Sequence, residues 1–230
     1  MASSKTTNNQ LKALVGVLIT LNTILLGSEI NPPLTSPLTG RGMIVNVIEV
    51  IDGDTFVTNN GQRVRLLSVD AAEMGRCMSK EAKVYLEKTI EGKQVVLDDV
   101  RADKYGRLLA LVYLKDDLVN EEMLVNGLAR FDGTKSQERD VLKEAYDKAR
   151  QDKIGLFDKC YQEDPEDEKC SIKGNIDKTT GRKMYHFPGC REYVTTVVEL
   201  DLGESWFCSE KEAVEAGYVK SKQCFGKSYN

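Results

Sequence analysis

The residues best placed to do chemistry lie between Val50 and Glu73, where Asp52, Asp54 and Asp70 share one short stretch with Arg65 and Glu73. Carboxylates are hard oxygen donors for a cation and can exchange protons with water, and the planar fork of an arginine matches two oxygens of an oxyanion. A purely structural hairpin would carry turn residues and apolar side chains at these places. Asn60-Gly61 between two alternating runs is a strong hairpin signal. With these two as the central turn residues, Asp70 falls opposite Ile51, so acids distant in sequence meet in space. Taken singly, Asp52 and Asp54 around Gly53 also suit a plain turn, and Arg65 with Glu73 a surface ion pair.

The elements that must hold this stretch can be read in order. Met43 to Ile51 alternates with β-branched residues as a first strand. Phe56 to Asn59 and Gln62 to Ser68 are the hairpin arms. Ser79 is an N-cap candidate for a helix with Ala82, Leu86 and Ile90 on one face, stopped by Gly92. Lys93 to Asp98 and Leu108 to Leu114 read as two more strands around the polar run Arg101 to Arg107. A helix containing Val119, Met123 and Leu124 ends at Gly127, and a charged helix from about Ser136 to Asp152 carries the stripe Val141, Leu142, Ala145 and Ala149. Five strands with interposed helices suggest a small barrel rather than a doubly wound sheet.

The chain has 230 residues, 41% of them hydrophobic, and a net charge of −4. That allows one sizeable core with residues left for a second small unit. A protein gripping nucleic acid by bulk electrostatics is usually basic, so on a polyanion the positive charge here must come from a metal ion and placed arginines. Residues 1–27 read as a signal peptide or membrane anchor: Lys5 and Lys12 precede the apolar run Ala13 to Gly27, which is short for a span. Residues 28–42 form a linker containing Pro32, Pro33 and Pro37. Six cysteines in an exported chain suggest disulfides.

Four segments carry a family resemblance: Asp52-Gly53-Asp54-Thr55, Arg65 through Glu73, Asp103-Lys104-Tyr105-Gly106-Arg107, and Val119 through Ala129. In this order they resemble the motifs of the staphylococcal nuclease (thermonuclease) family, over residues 43–158. The resemblance implies an α+β, mainly β fold: a five-stranded OB-type barrel with three helices. It implies a calcium-dependent endonuclease that cleaves DNA and RNA with little sugar specificity and leaves 3′-phosphate ends. By matched position, Asp54, Asp70 and the backbone carbonyl of Ala71 would bind Ca2+. Glu73 would orient or deprotonate water, Arg65 and Arg107 would hold the phosphate, and Lys104 and Tyr105 would touch a neighbouring phosphate. Asp52 is assigned to the surroundings of the metal, or to a ligand acting through water. Ala71 and Ala72 replace the threonine and proline of the best-known members, and the segment Arg130 to Thr134 lacks base-contacting tyrosines. The alternative is a catalytically silent OB-fold module that binds nucleic acid or protein.

Residues 159–170 read as an acidic linker, and residues 171–230 as a small C-terminal module. Ile172 to Ile176, Tyr185-His186, Trp206-Phe207-Cys208 and Glu212 to Tyr218 resemble a short module that follows nuclease domains in exported bacterial proteins. Two arrangements of its cysteines stay open. His186, Cys190, Cys208 and Cys224 make an acceptable zinc set; disulfides, among which Cys77–Cys160 or Cys160–Cys170 are conceivable, suit the compartment better. Tyr185, Trp206 and Phe207 are expected in the module's core. The expected partners are DNA and RNA as substrates and a membrane at the N-terminal segment if it is retained. No protein partner is expected. The nuclease part would then lie outside the cytoplasm, secreted or anchored.

Overall fold

The barrel strands follow from alternation: in β1 (Met43–Val50) the buried positions are Val45, Val47 and Val50, and the step from two to three residues coincides with a register shift against its neighbour between Val47 and Glu49. Such bulges let a strand bend around a closed sheet. The computed structural model describes residues 42–229. The expected signal peptide or anchor, residues 1–27, and the expected 28–42 linker, up to residue 41, lie outside the described residues.

Next come β2 (Thr55–Thr58), β3 (Arg63–Leu66), β4 (Val69–Ala71), α1 (Ser79–Ile90), β5 (Gln94–Ala102), β6 (Leu108–Leu114), β7 (Asp117–Leu118), α2 (Val119–Val125), β8 (Ala129–Phe131) and α3 (Arg139–Gln151). The sheet order is β3-β2-β1-β5-β6-β7, and a parallel pairing of β3 with β6 closes β1, β2, β3, β6 and β5 into a five-stranded barrel. Phe56, Val64, Leu66, Leu97 and Leu111 fill it, and α1 caps it with Ala82, Leu86 and Ile90, a one-sided stripe at helical spacing. The α+β barrel is as expected.

Three local expectations are corrected. The hairpin pairs Thr55 with Arg65 and Val57 with Arg63, one residue away from the register of a two-residue Asn60-Gly61 turn. The loop has three residues instead, with Gly61 at φ 77°, and a glycine in the left-handed region is what a three-residue loop requires. Asp70 therefore does not lie on the hairpin. Ser68, at φ 65° and with its hydroxyl donating to Thr134 O at 2.9 Å, turns the chain out of β3, and β4 pairs with β8. Ser79 is the first helical residue rather than the cap; its Oγ donates to Arg76 O at 2.7 Å. Finally, α3 begins at Arg139, because Ser136 is buried against Ser68 Oγ, at 3.3 Å.

Beyond α3, α4 (Leu156–Lys159) and β9 (Tyr161–Gln162) lie at the start of the acidic stretch, and Cys160 is wholly buried in the barrel's core. The C-terminal residues form β10 (Ile172–Ile176), β11 (Lys183–His186), β12 (Val198–Glu199), β13 (Ser205–Phe207), α5 (Glu210–Glu215) and β14 (Val219–Lys220). Four of these strands make a sheet in the order β13-β10-β11-β14, while β12 pairs with β9. Ile172, Tyr185, Phe187, Ala213 and Tyr218 form the second core, with Phe207 partly buried against it. Trp206 is not in that core. It stands on the opposite face of β13, where its Nε1 donates to Gln162 Oε1 at 2.9 Å.

The cysteines pair as Cys77–Cys160, Cys170–Cys208 and Cys190–Cys224. This corrects the zinc alternative, since Cys190, Cys208 and Cys224 are all consumed and Cys208 bonds outside the expected set. Of the two conceivable bridges from Cys160, the one to Cys77 forms. No helix among the described residues is long and apolar enough to cross a membrane.

Candidate active site

Asp54 stands at the entrance to β2 and is 2% exposed. Its position depends on a tight turn: the Asp54 N–H donates to Asp52 Oδ1 at 3.1 Å, and between them Gly53 passes close to β4 and α1. A Cβ at Gly53 would lie 2.6 Å from Ala71 Cβ and 2.7 Å from Ala82 Cβ, so only glycine admits this approach. The carboxylate is then saturated by its surroundings. Oδ1 accepts from Thr55 Oγ1 at 2.8 Å and Arg65 Nη1 at 2.6 Å, and Oδ2 accepts from the Ala71 N–H at 2.9 Å.

Arg65 is the centre of the cluster. From the middle of β3 its Nη1 reaches Asp54 and its Nη2 reaches Asp70 Oδ1 at 2.6 Å, with Val69 O at 3.3 Å. One guanidinium thus links a buried acid to Asp70, which is 53% exposed. Burial pushes the Asp54 carboxyl up to about 7, against the pull of Arg65 and with Asp52 adding to the rise. Three carboxylates against one guanidinium leave two negative charges when all are ionised, and the buried one is under-compensated. That is the chemistry a hard divalent cation relieves.

The donor set suits such a cation, with one condition. Among the described residues no three acidic, histidine or cysteine side chains converge closely enough to hold an ion. At this cluster the fork of Arg65 occupies oxygens of both Asp54 and Asp70. An incoming cation must share those oxygens or displace part of the fork.

Arg107, Lys104 and Tyr105 lie on the turn between β5 and β6. Asp103 builds the turn: its Oδ1 accepts the N–H groups of Tyr105 and Arg107 at 2.8 and 2.9 Å, and its Oδ2 accepts Arg107 Nε at 2.8 Å. Desolvation opposes the charge on Asp103, but the Arg107 and Tyr105 hydrogen bonds together hold its carboxyl below the usual carboxylate range. Tyr105 is 70% exposed, with Lys104 Nζ 4.9 Å and the Arg107 guanidinium carbon 5.5 Å from its ring centre. Parallel pairing of β3 with β6 sets Arg65 beside Leu109, so Arg107, two residues earlier, points to the same face as Arg65. Glu73 lies two residues past Ala71 on the exposed turn before α1, where its carbonyl accepts the Arg76 N–H at 3.0 Å.

Asp52, Asp54, Arg65, Asp70 and Ala71 are thus in direct contact, and Arg107 is aligned with them by strand register. Of the candidates in the C-terminal module, His186 is buried, and among the described residues no metal set surrounds it. Sequence reasoning missed Thr55 as a partner of Asp54. It also missed Asn120, fully buried in α2, whose Nδ2 donates to Leu67 O at 2.8 Å and Ala110 O at 3.2 Å while its Oδ1 accepts the Val112 N–H at 2.8 Å. An asparagine inside the apolar stripe of a helix was the available signal.

A family model described as "Staphylococcal nuclease homologue" matches residues 63–159. A thermonuclease from Staphylococcus intermedius is 33% identical over 132 residues, covering 52% of this chain and 79% of that protein. A second thermonuclease, from Staphylococcus hyicus, is 35% identical over 95 residues, covering 36% of this chain and 56% of its own. An uncharacterized endonuclease from Escherichia coli O157:H7 is 29% identical over 129 residues, covering 55% of this chain and 81% of that protein.

Proposed function

The chain belongs to the staphylococcal nuclease family, and from that premise we propose that it is an exported, calcium-dependent endonuclease that hydrolyses DNA and RNA with little sugar specificity, leaving 3′-phosphate ends. The observation that carries the reading is the Arg65 bridge between buried Asp54 and exposed Asp70. An arginine held by two acids beside open solvent is oriented before any substrate arrives. A phosphate can then take over part of its fork at little entropic cost.

Asp54, Asp70 and the Ala71 carbonyl are the proposed calcium ligands, with Asp52 supporting the turn. When bound, the ion supplies positive charge against the charge that gathers on the phosphoryl oxygens. Arg65 holds those oxygens from β3 and Arg107 from the turn that leads into its neighbour β6, which favours the transition state more than the ground state because the charge there is larger. Glu73, on an exposed turn, orients the attacking water and accepts its proton. Attack on phosphorus breaks the bond to the 5′-oxygen, which takes a proton from solvent and leaves as the hydroxyl of one product. Lys104 and Tyr105, beside Arg107 on one turn, contact the adjacent phosphate. The mild net negative charge fits a protein that places its few cations at the site instead of coating its surface.

Export is supported by three disulfides, which persist in oxidising compartments. On this reading the nuclease part acts outside the cytoplasm, released or held at the membrane by residues 1–27. The test is incubation of residues 28–230 with plasmid and with RNA, in calcium and in chelator. Calcium-dependent loss of both substrates, strongly reduced in the Glu73→Ala, Arg107→Ala double variant, is expected. Retention of substrate by the parent, with binding intact, would favour a silent binding module instead.

A further inference from the structure

The C-terminal sheet has two unlike faces. On β10 and β11, alternate residues Ile172, Ile176, Tyr185 and Phe187 pack into or against the apolar core. The opposite face carries Lys173 paired with His186 and Asn175 paired with Met184. This second face is polar yet enclosed, with Lys173 3% and His186 5% exposed. A module with so small an apolar core gains nothing in stability from burying a lysine and a histidine.

Most of these polar groups are satisfied by the segment that covers them. Lys173 Nζ donates to Tyr193 O at 3.1 Å and Thr196 O at 2.6 Å, and Asn175 Nδ2 donates to Val197 O at 2.7 Å and Glu204 Oε2 at 2.9 Å. Glu204 also accepts the Ile176 and Glu199 N–H groups, at 2.7 and 2.8 Å. Among the described residues three buried atoms lack a hydrogen-bond partner, His186 Nδ1, Asn175 Oδ1 and Glu199 Oε2; the last is held in ion pairs with Lys178 at 2.7 Å and Arg130 at 3.3 Å, so the first two are left over. Each such omission costs about 1–3 kcal/mol unless something outside the chain completes it.

Both side chains line one cavity of about 500 Å3, within the size range of small-molecule sites. Met184 and Val197 give it apolar wall, and Arg182 and Lys222, which make no ion pair among the described residues, also line it. Its other two lysines are committed, Lys178 to Glu199 at 2.7 Å and Lys220 to Glu210 at 3.0 Å. Burial favours the neutral imidazole of His186, with Lys173 acting in the same direction and Glu192 against it. Four carboxylates line it as well: Glu199 is paired with Lys178 and Arg130, Glu204 accepts the N–H groups named above, Asp177 accepts the Thr179 and Thr180 N–H groups of its own turn at 3.0 and 2.7 Å, and Glu192 faces His186. The cavity therefore offers two unpaired hydrogen-bonding atoms in its floor and two cations outside any ion pair, with three of its four acids already engaged.

We propose that this cavity binds a small phosphate monoester whose uncharged body carries hydrogen-bond donors. Arg182 and Lys222 take the phosphate, Asn175 Oδ1 and His186 Nδ1 pair with polar groups of the body, and Met184 and Val197 pack against its apolar part. Such a compound could be a nucleoside monophosphate or a sugar phosphate. The inference rests on the cavity alone and does not require the nuclease reading.

His186 is the one histidine of the chain, so its imidazole resonances report on this cavity and not on the Asp54 cluster. The full chain is titrated with a nucleoside 3′-monophosphate, glucose 6-phosphate and inorganic phosphate, followed by NMR of the imidazole and by calorimetry. A saturable imidazole shift with one of the monoesters is expected, with inorganic phosphate at least about tenfold weaker; which monoester wins identifies the source. The Arg182→Ala, Lys222→Ala double variant, altered only at exposed or part-exposed positions, should weaken the monoester about tenfold, ~1.4 kcal/mol. His186→Gln should weaken it in calorimetry as well. No imidazole shift with any probe up to about 10 mM, a shift insensitive to the loss of both cations, or equal affinity for inorganic phosphate would each overturn the proposal.

Discussion

Replacing Asp201 by asparagine should destabilise the protein well beyond the cost of an ordinary surface change, because Asp201 neutralises an arginine that has little access to water. Arg130 donates to Asp201 through Nε at 2.6 Å and Nη2 at 2.9 Å, and to the Tyr161 hydroxyl through Nη1 at 3.0 Å. The two ionic side chains are 11% and 3% exposed. Removing one partner of such a pair costs about 3–5 kcal/mol, since the other charge stays buried and uncompensated. Glu199 remains 3.3 Å from Arg130 and asparagine keeps an acceptor, so the lower end applies. About 3 kcal/mol corresponds to a fall in Tm of about 6–12 °C for a chain of this size. Calorimetry of Asp201→Asn, Arg130→Met and the double variant measures it, and the double variant should lose about 2 kcal/mol less than the sum. The effect should also reach the acid cluster, because Arg130 sits in β8 directly across from Asp70 in β4. Cross-strand partners share a face, so a guanidinium freed from Asp201 gains Asp70 as an alternative partner. On the proposed calcium reading, affinity for the ion should fall in Asp201→Asn and return in the double variant. A Tm within about 1 °C of the parent, or strict additivity in the cycle, would refute the reasoning.

Gly53→Ala should lower stability by about 1–3 kcal/mol and weaken the proposed calcium-dependent cleavage with it, because the new methyl meets Ala71 and Ala82 at 2.6 and 2.7 Å; unchanged denaturant midpoints would contradict this. Removing the Cys77–Cys160 bridge, which spans 83 residues, should cost about 2–4 kcal/mol, read from the urea midpoint of the Cys77→Ser, Cys160→Ser variant against the parent. Burial holds the His186 pKa below its ordinary value, so as pH falls the unfolded chain takes up that proton first. The stability from keeping His186 neutral is complete above about pH 6.5 and lost below it. Buried Glu204, whose pKa is raised by desolvation, contributes with the opposite sign, so the informative quantity is the difference between His186→Gln and parent, in which the acid-side slope should flatten.

What could be read from the sequence was local, and what could not was set by closure. Alternation in Met43 to Val50 and Leu108 to Leu114, and the stripe Ala82, Leu86 and Ile90, reflect faces that each element must bury on its own account, so they are written in a few neighbouring residues. The hairpin register was not, because Asn60-Gly61 serves a two-residue or a three-residue loop equally well and the choice is made by barrel strands on either side. That single residue decides how Asp70 meets Asp54. It arrives through β4 and β8, a pairing of two three-residue strands without a signal of their own, and is tied by Arg65 instead of facing Ile51 across a ladder. The cysteines show the same division. Their number argued for bridges, but Cys170–Cys208 joins residues 38 apart whose proximity exists only once β10 and β13 have paired. In the C-terminal module, the need of so small a unit for aromatics inside points Trp206 to the core, but its face is decided by strand parity: Phe207 points into the core, so Trp206 must point to the polar side. The same parity puts Lys173, Asn175 and His186 together. The polar cavity is thus a direct consequence of how the sheet's apolar residues are spaced, although no individual residue of it stands out in the sequence.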